Sequence, residues 1–200
     1  MRTRLIMGAS LAMVLAFGSA SLAQDKASQK FLKEAIEGNL AEVQMGQLAQ
    51  KNGNSDGVRS FGQMLEKDHS DANQKATNAA NSLGVTPPTE PSSKQKADYD
   101  RMAKLSGARF DQEFAKHMVT DHRKDIREYE KEAKKNDDAG RYANEALPTL
   151  RKHLQEAQSL SGGTRTSGRG RGNSRAVTGG PAPATGKSAP AETTTGQKAH

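Results

Sequence analysis

Apolar side chains recur at helical spacing over four long segments, and no other feature of this sequence restricts its fold as strongly. The segments cover about 26–52, 55–83, 107–135 and 137–160. A spacing of three and four residues places side chains on one face of an α-helix, and helices this long need partners that cover those faces. The pattern therefore predicts an all-α four-helix bundle. Only 4% of the residues are aromatic and none is Trp, which disfavours β-sandwiches and doubly wound α/β folds.

The connections between the predicted helices differ in length, and this difference restricts the topology. The first and third connections are short turns, so each joins an antiparallel helix pair. The second connection, Gly84 to Ser106, contains three prolines and a predicted short helix over 93–104. A crossover of this length lets the second and third long helices run parallel, which is the ferritin-like connection. Pro148 lies within the fourth helix, where it predicts a kink or a restart.

The first 23 residues have the pattern of a secretory signal peptide. Basic Arg2 and Arg4 precede an apolar stretch over 5–18, and small residues lead to Ala23. The apolar stretch is shorter than the roughly 20 residues that span a bilayer, and no Cys follows it for a lipid anchor. We therefore expect cleavage after Ala23 and export of a mature chain that is periplasmic, associated with the outer membrane, or released. No later segment is apolar enough to predict a membrane span.

Residues 161–200 are rich in Gly, Ser, Pro and Arg, and this composition predicts a disordered tail. The sequence thus divides into a signal peptide over 1–23, a bundle over 24–160 and this tail. Basic and acidic residues balance over 24–160, so the formal charge of +7 arises from the leader and the tail. A balanced body is not typical of a nucleic-acid-binding face, and we expect no nucleic-acid partner. The basic tail suggests contact with an anionic envelope surface or polysaccharide, and an inert solubilising extension is the alternative.

Three histidines occupy positions where the helical spacing calls for an apolar side chain. His69 and His122 continue the apolar series of the second and third helices, and His153 lies beside Leu154 at the edge of the apolar face of the fourth. Glu42 falls on an apolar line of the first helix. These four residues lie near or somewhat past the middle of their helices, so they can meet at one level of the bundle. They are the candidate metal ligands.

Asp68 and Asp121 each precede one of these histidines and belong to a short internal repeat. The pattern Phe-x3-aliphatic-x2-Asp-His runs from Phe61 to His69 and again from Phe114 to His122. The repeat favours pairing of the second and third long helices. Because carboxylates commonly accept the second ring N–H of a metal-binding histidine, we expect the two aspartates to orient the imidazoles.

The ligand types restrict the metal that such a cluster could hold. Di-iron carboxylate bundles use Glu-x-x-His on two helices, whereas this chain has that spacing once, from Glu66 to His69, so a di-iron centre is disfavoured. Imidazoles with one carboxylate suit a single Zn, Cu or Fe ion, and Met45 and Met118 could add soft ligands for copper. The alternative is a buried network in which Asp and backbone groups satisfy the histidines, and the sequence alone favours it.

Several motifs resemble those of the exported bacterial ferritin-like domains of unknown function that are often labelled outer-membrane proteins. The resemblance covers about 25–160. The matching segments are 38–49, 64–69, 107–111, 117–122 and 147–154. It implies a four-helix ferritin-like bundle in a bacterial envelope, and it implies no reaction.

No motif points to catalysis. The chain has no Cys, and it has neither a nucleophilic Ser motif nor a glycine-rich phosphate loop. The leading hypothesis is therefore an exported cell-envelope bundle of unknown biochemical activity, more typical of a structural, stress-linked or interaction module than of an enzyme. The alternative is a metal-binding or redox bundle that uses the mid-bundle histidines and Glu42.

Overall fold

The computed structural model describes the backbone of residues 15–167 and the side chains of residues 26–162. Within that part of the chain the protein is all-helical, with four long helices and one short helix. They are α1 (Leu15–Asn52), α2 (Asp56–Ser82), α3 (Ser93–Ala103), α4 (Gly107–Glu132) and α5 (Asp138–Ser167). The predicted four-helix bundle with a short helix in the long crossover is confirmed.

The two ends of the described chain differ from the predicted boundaries. Helix α1 begins at Leu15 and not near residue 26, because the second half of the leader is rich in Ala and Leu, which favour helix, and contains no Pro. Helix α5 continues through Pro148, so this proline does not mark a restart. The helix ends at Ser167, beyond the predicted bundle boundary at residue 160. The basic start of the leader and residues 168–200 of the predicted tail lie outside the described residues. Cleavage of the leader stays a prediction.

The orientation of the helices follows from contacts at one end of the bundle. Buried Asp111, near the start of α4, accepts hydrogen bonds from the backbone N–H groups of Asn54 at 2.8 Å and Ser55 at 2.9 Å. Ser55 is also the N-cap of α2, and its side chain accepts from the N–H of Val58. Asp111 therefore holds the starts of α2 and α4 at the same end, and the two helices run parallel, as the long crossover predicted.

Helix α2 packs between α1 and α5, and α4 packs on α5 and α1. Helices α1 and α2 approach each other closely where Gly46 and Gly62 face each other. A Cβ on either glycine would lie 2.6 Å from the carbonyl oxygen of the other, so only Gly fits at these two positions. Helix α3 lies over α1 and α4, and its buried Met102 joins the core. Among the described residues, no helix is both long and apolar enough to span a bilayer.

The core divides into two apolar clusters along the bundle axis. We call the cluster beside the ends of α2 and α4 the tyrosine end, because it contains Tyr129 and Tyr142 packed on Phe31. We call the other cluster the phenylalanine end, where Phe61 and Phe114 meet with their ring centroids 6.0 Å apart. Between the two ends lies a level of buried polar side chains, which holds the candidate site.

Candidate metal centre

Three histidines from three helices meet at the middle of the bundle, and we call them the histidine layer. His69 comes from α2, His122 from α4 and His153 from α5; His69 is 4% exposed and the other two are 0% exposed. Each offers one ring nitrogen to a set in which all three atoms lie within 4.8 Å of one another. The ring centroids are 5.2–5.8 Å apart. The sequence prediction that these three histidines point inward at one level therefore agrees with the structure.

Two of the rings donate their outer N–H to groups that can only accept. The Nδ1 of His122 lies 3.0 Å from the carbonyl oxygen of Met118, one turn earlier on α4. The Nε2 of His153 lies 3.0 Å from Oδ2 of Asp68, whose side chain is 24% exposed. Because a carbonyl and a carboxylate offer only lone pairs, both outer nitrogens carry the hydrogen. The inner nitrogens, Nε2 of His122 and Nδ1 of His153, are therefore lone-pair acceptors.

The third ring is held in the same way through a neighbouring group of side chains. The side-chain amide of Asn39 donates to the hydroxyl of Tyr142 at 2.9 Å, so the amide oxygen faces Nδ1 of His69, also at 2.9 Å. His69 therefore donates through Nδ1 and keeps a lone pair on Nε2, which is buried and has no hydrogen-bond partner. The Tyr142 hydroxyl also meets that of Tyr129 at 3.2 Å. We call Asn39, Tyr129 and Tyr142 the tyrosine layer.

The three inner nitrogens thus present lone pairs to one another in the buried middle of the bundle. Nε2 of His122 and Nδ1 of His153 are only 3.3 Å apart. Two lone pairs at that distance repel unless a proton or a metal ion lies between them. A proton is disfavoured at neutral pH, because burial and the neighbouring imidazoles lower the pKa of His69 well below its usual value and that of His122 to about 3. Burial also lowers the pKa of His153, although Asp68 opposes this shift.

Glu42 is buried at the same level but is not part of the converging set of nitrogens. Its Oε2 has no hydrogen-bond partner. Burial, and then the negative charges of Asp121 and Asp125 on α4, raise the pKa of Glu42 well above its usual value. The carboxyl group therefore favours the neutral, protonated form. The sequence prediction grouped Glu42 with the three histidines as a ligand; in the structure its carboxyl group lies outside the converging set, and Asp121 and Asp125 are the charged groups that act on it.

One of the two predicted orienting aspartates is in place and the other is not. Asp68 accepts from His153, which is on α5, and not from the adjacent His69. Asp121 lies 3.4 Å from Nε2 of His117, one turn earlier on its own helix. Asp121 was predicted to accept from an imidazole of the site; in the structure it faces His117, and the ring N–H of His122 donates to the backbone carbonyl of Met118.

The remaining candidates belong to other parts of the molecule. Met45 and Met118 are buried in the apolar cluster of the phenylalanine end, as core residues. Glu66 accepts hydrogen bonds from Gln47 and Gln50, and so the single Glu-x-x-His spacing does not bring its carboxylate to the site. The phenylalanine end closes one side of the histidine layer, with the ring centroid of Phe61 6.0 Å from that of His153.

Sequence reasoning missed two aspects of the site. His153 was placed at the edge of the apolar face of α5, but it is fully buried while Leu154 is partly exposed. The reason is that Leu150, His153 and Ala157 follow each other at three- and four-residue spacing. The roles of Asn39 and Tyr142 were also missed. The available signal was an Asn on the apolar face of α1, since a buried amide needs polar partners.

Comparison with known proteins adds one match. A family model described as a domain of unknown function (DUF4142) matches residues 15–160. This description agrees with the part of the predicted resemblance that concerned a domain of unknown function, and it carries no fold name, activity or location. No curated protein and no solved structure matches the chain.

Proposed function

We propose that this chain, which belongs to the DUF4142 family, binds a single transition-metal ion in its bundle through His69, His122 and His153. The donors are three neutral imidazoles from three different helices. We propose the same set for Zn, Cu or Fe, since imidazole is a good ligand for each of these metals. Bound metal would join α2, α4 and α5 at mid-height, which suits a structural or stress-linked role as well as a redox role.

One observation carries this proposal: all three histidines donate their outer N–H and turn a lone pair inward. In a purely structural network, donors and acceptors alternate, so that each buried nitrogen finds a partner. Here Nε2 of His69 has none, and the inner nitrogens of the other two rings are both acceptors. A cation is the partner that satisfies three converging lone pairs together. The fixed outer hydrogen bonds are those expected around metal-binding imidazoles.

The distances favour a mononuclear tetrahedral type of site. With metal–nitrogen bonds of about 2.0–2.1 Å, two ligands of a tetrahedral ion lie about 3.3–3.4 Å apart. The inner nitrogens of His122 and His153 are 3.3 Å apart, and the nitrogen of His69 is within 4.8 Å of both.

The place of action is a separate proposal that rests on the leader and the tail. We propose that the protein is exported to the cell envelope, because residues 1–23 have the features of a signal peptide. The basic residues after 160 would give the exported chain affinity for anionic envelope surfaces. Retention of the full chain and of a chain truncated after Ser167 on anionic vesicles tests this tail proposal; equal retention would contradict it.

Elemental analysis of the purified full chain, after metal loading and removal of free metal, tests the metal site. We expect about one ion per chain, and loss of that ion in His122→Ala and in His153→Ala. His117→Ala is the matched control, because His117 lies on α4 and pairs with Asp121 outside the site. Circular dichroism of each metal-free variant checks that the bundle still forms.

Glu42→Gln separates the three-histidine site from the four-ligand site that the sequence predicted. We expect this variant to keep its metal, because Glu42 lies outside the converging set. Absence of stoichiometric metal in the wild-type chain, or equal loss in His117→Ala, would overturn the proposal in favour of a structural imidazole network.

A further inference from the structure

The outward side of α4 carries a row of positive charges. Helix α4 contains six basic and seven acidic residues, so its composition shows no excess of positive charge. With 3.6 residues per turn, however, five of the basic residues fall within about 40° of one line along the helix. We call these five residues the basic face: Arg109, Lys116, Arg123, Arg127 and Lys131. All five are exposed, and they extend over about 33 Å along the helix axis.

The charges of the basic face are not neutralised by the protein. Among the residues that the structure describes, no acidic side chain forms an ion pair with any of the five. The acids nearest to the face on α4 have other partners: Glu128 pairs with Lys124, and Glu130 pairs with Arg151 of α5. Within α4, Glu113 is the only acid in the same arc. The face therefore has a net positive charge that the balanced composition of the bundle conceals.

This arrangement opposes the stability of the helix. Arg123, Arg127 and Lys131 follow one another at four-residue spacing, and like charges at that spacing repel. Arg109 is the third residue of α4, where the helix macrodipole disfavours a cation. On the other helices, an acid lies four residues after a lysine and pairs with it. These pairs are Lys30–Glu34, Lys67–Asp71 and Lys94–Asp98. Local rules of this kind are broken mainly at functional sites, so the face calls for a partner of opposite charge.

The shape of the face favours a narrow and sparsely charged partner. Successive cations are about 6–11 Å apart along the axis, whereas duplex DNA carries one charge about every 1.7 Å. All three aromatic residues of α4 are buried, so none can stack on a nucleic-acid base. A bilayer is flat and would also meet the carboxylates of Glu113 and Glu130 beside the cations. A thin chain that follows the row of cations avoids these carboxylates.

We propose that the basic face binds a linear acidic polysaccharide, which lies along α4 with its carboxylate groups on the cations. The guanidinium groups of Arg109, Arg123 and Arg127 suit this ligand, because each can donate two parallel hydrogen bonds to one carboxylate. The polymer contacts the outward side of the bundle and not the buried histidine layer. The inference is therefore independent of the proposed metal site.

Calorimetric titration of the full chain with polygalacturonate at low salt tests this proposal. The face variant combines Arg123→Gln, Arg127→Gln and Lys131→Gln, and Gln is a good helix former. We expect the face variant to bind at least tenfold more weakly than the wild-type chain. Its affinity should also fall less steeply as salt is added, because fewer charges are involved.

The matched control variant combines Lys33→Gln, Lys51→Gln and Lys152→Gln. These three lysines are exposed, have no ion pair among the described residues and lie on α1 and α5. The control variant thus removes the same charge from outside the face, and we expect less than a twofold change in affinity. Both variants keep the basic tail, so its contribution to binding is the same in each.

The outcomes separate this partner from the other polyanions. Equal weakening in the face variant and the control variant overturns the proposal, and so does a wild-type chain that does not bind polygalacturonate. Duplex DNA and vesicles that contain anionic phospholipid are the competing probes. A larger loss of affinity for either of them than for polygalacturonate, in the face variant, assigns the face to that partner instead. If circular dichroism shows that the face variant does not fold, Arg127→Gln alone should weaken binding at least twofold, and unchanged binding would contradict the proposal.

Discussion

The histidine layer and the tyrosine layer are adjacent in the bundle and about equally buried, yet they differ in how their polar atoms are satisfied. Tyr129, Tyr142 and Asn39 form a continuous series of hydrogen bonds that ends on His69. None of their buried side-chain atoms lacks a partner, whereas Nε2 of His69 does. Burial of polar groups therefore does not by itself indicate a binding site. The informative feature is an inward acceptor that no protein donor completes.

The largest expected difference between the two layers is in how their substitutions affect the stabilisation by bound metal. With zinc or copper at about a thousand times its Kd, the free energy of unfolding should rise by about 4 kcal/mol, because the metal binds only the folded chain. His122→Asn should lose this gain, and Tyr142→Phe should keep most of it. Denaturant unfolding with and without metal measures both effects. Equal loss of the gain in the two variants would mean that the layers act as one unit.

In the metal-free protein, substitutions in the tyrosine layer should lower the free energy of unfolding more than substitutions in the histidine layer. Tyr142→Phe should lower the free energy of unfolding by about 1–3 kcal/mol, because the amide of Asn39 and the hydroxyl of Tyr129 lose a buried partner. Tyr99→Phe, on α3 outside the layer, is the control and should change it by less than about 0.5 kcal/mol. Chemical denaturation of the chelator-treated chains is the measurement. A neutral Tyr142→Phe would show that the tyrosine layer contributes no net stability.

Acid should act on the histidine layer and leave the tyrosine layer unaffected. The three imidazoles have lowered pKa values in the folded chain, so their contribution to stability is complete above pH 6.5 and decreases as the pH falls below it. For His122 the loss continues down to its folded pKa of about 3. Glu42 opposes this loss, because its pKa is raised above 4.5 in the folded chain and folding then favours the protonated carboxyl. Asp125, with a pKa raised to about 7, acts in the same direction as Glu42.

Glu42→Gln removes one of the opposing groups. As the pH falls toward 4.5, the metal-free variant should lose more stability per pH unit than the wild-type chain, by at most about 1.4 kcal/mol. Tyr142→Phe should show the wild-type slope, since its hydroxyl does not titrate in this range. Denaturant unfolding at several pH values gives the slopes. Parallel pH profiles for wild type and Glu42→Gln would contradict the protonated state of Glu42.

The smallest effect concerns Asp68, which connects the histidine layer to solvent. Asp68→Asn keeps an oxygen that accepts from His153 but loses the negative charge. We therefore expect about tenfold weaker metal binding, which is the low end of the effect of changing a group that accepts from a metal-binding imidazole. Asp71→Asn is the matched control, because Asp71 is an exposed acid three residues later on α2. Competition with a chromogenic chelator gives the two affinities. Identical affinities for both variants would remove Asp68 from the support of the site.

Much of the architecture was predictable because it depends on local periodicity. The starts of α2, α3 and α4 agree with the predicted starts, since Ser55 and Ser92 are N-caps whose side chains accept backbone hydrogen bonds. The Phe–Asp–His repeat favoured pairing of α2 and α4, but α2 packs on α1 and α5 instead. Only long side chains of the repeat reach across the core, with Phe61 facing Phe114 and the rings of His69 and His122 5.8 Å apart.

The details of the site were less predictable because each depends on a residue from another helix. Asp68 is adjacent to His69 in sequence but accepts from His153, 85 residues away. Asn39 lies 30 residues from the ring that it orients. No spacing within one helix carries such information, so the ligand role of Glu42 and the orienting role of Asp121 were both assigned from position along a helix alone.

The helices, their parallel and antiparallel directions and the inward face of each helix follow from apolar periodicity, capping residues and loop lengths, which act locally and can be identified in the sequence. Which nitrogen of each imidazole carries the hydrogen depends on the folded bundle. That choice depends on Met118, Asn39 and Asp68, which act as acceptors from their own or from other helices once the bundle has formed. Those three hydrogen bonds turn the lone pairs of the buried histidines toward one another, as the proposed metal site requires.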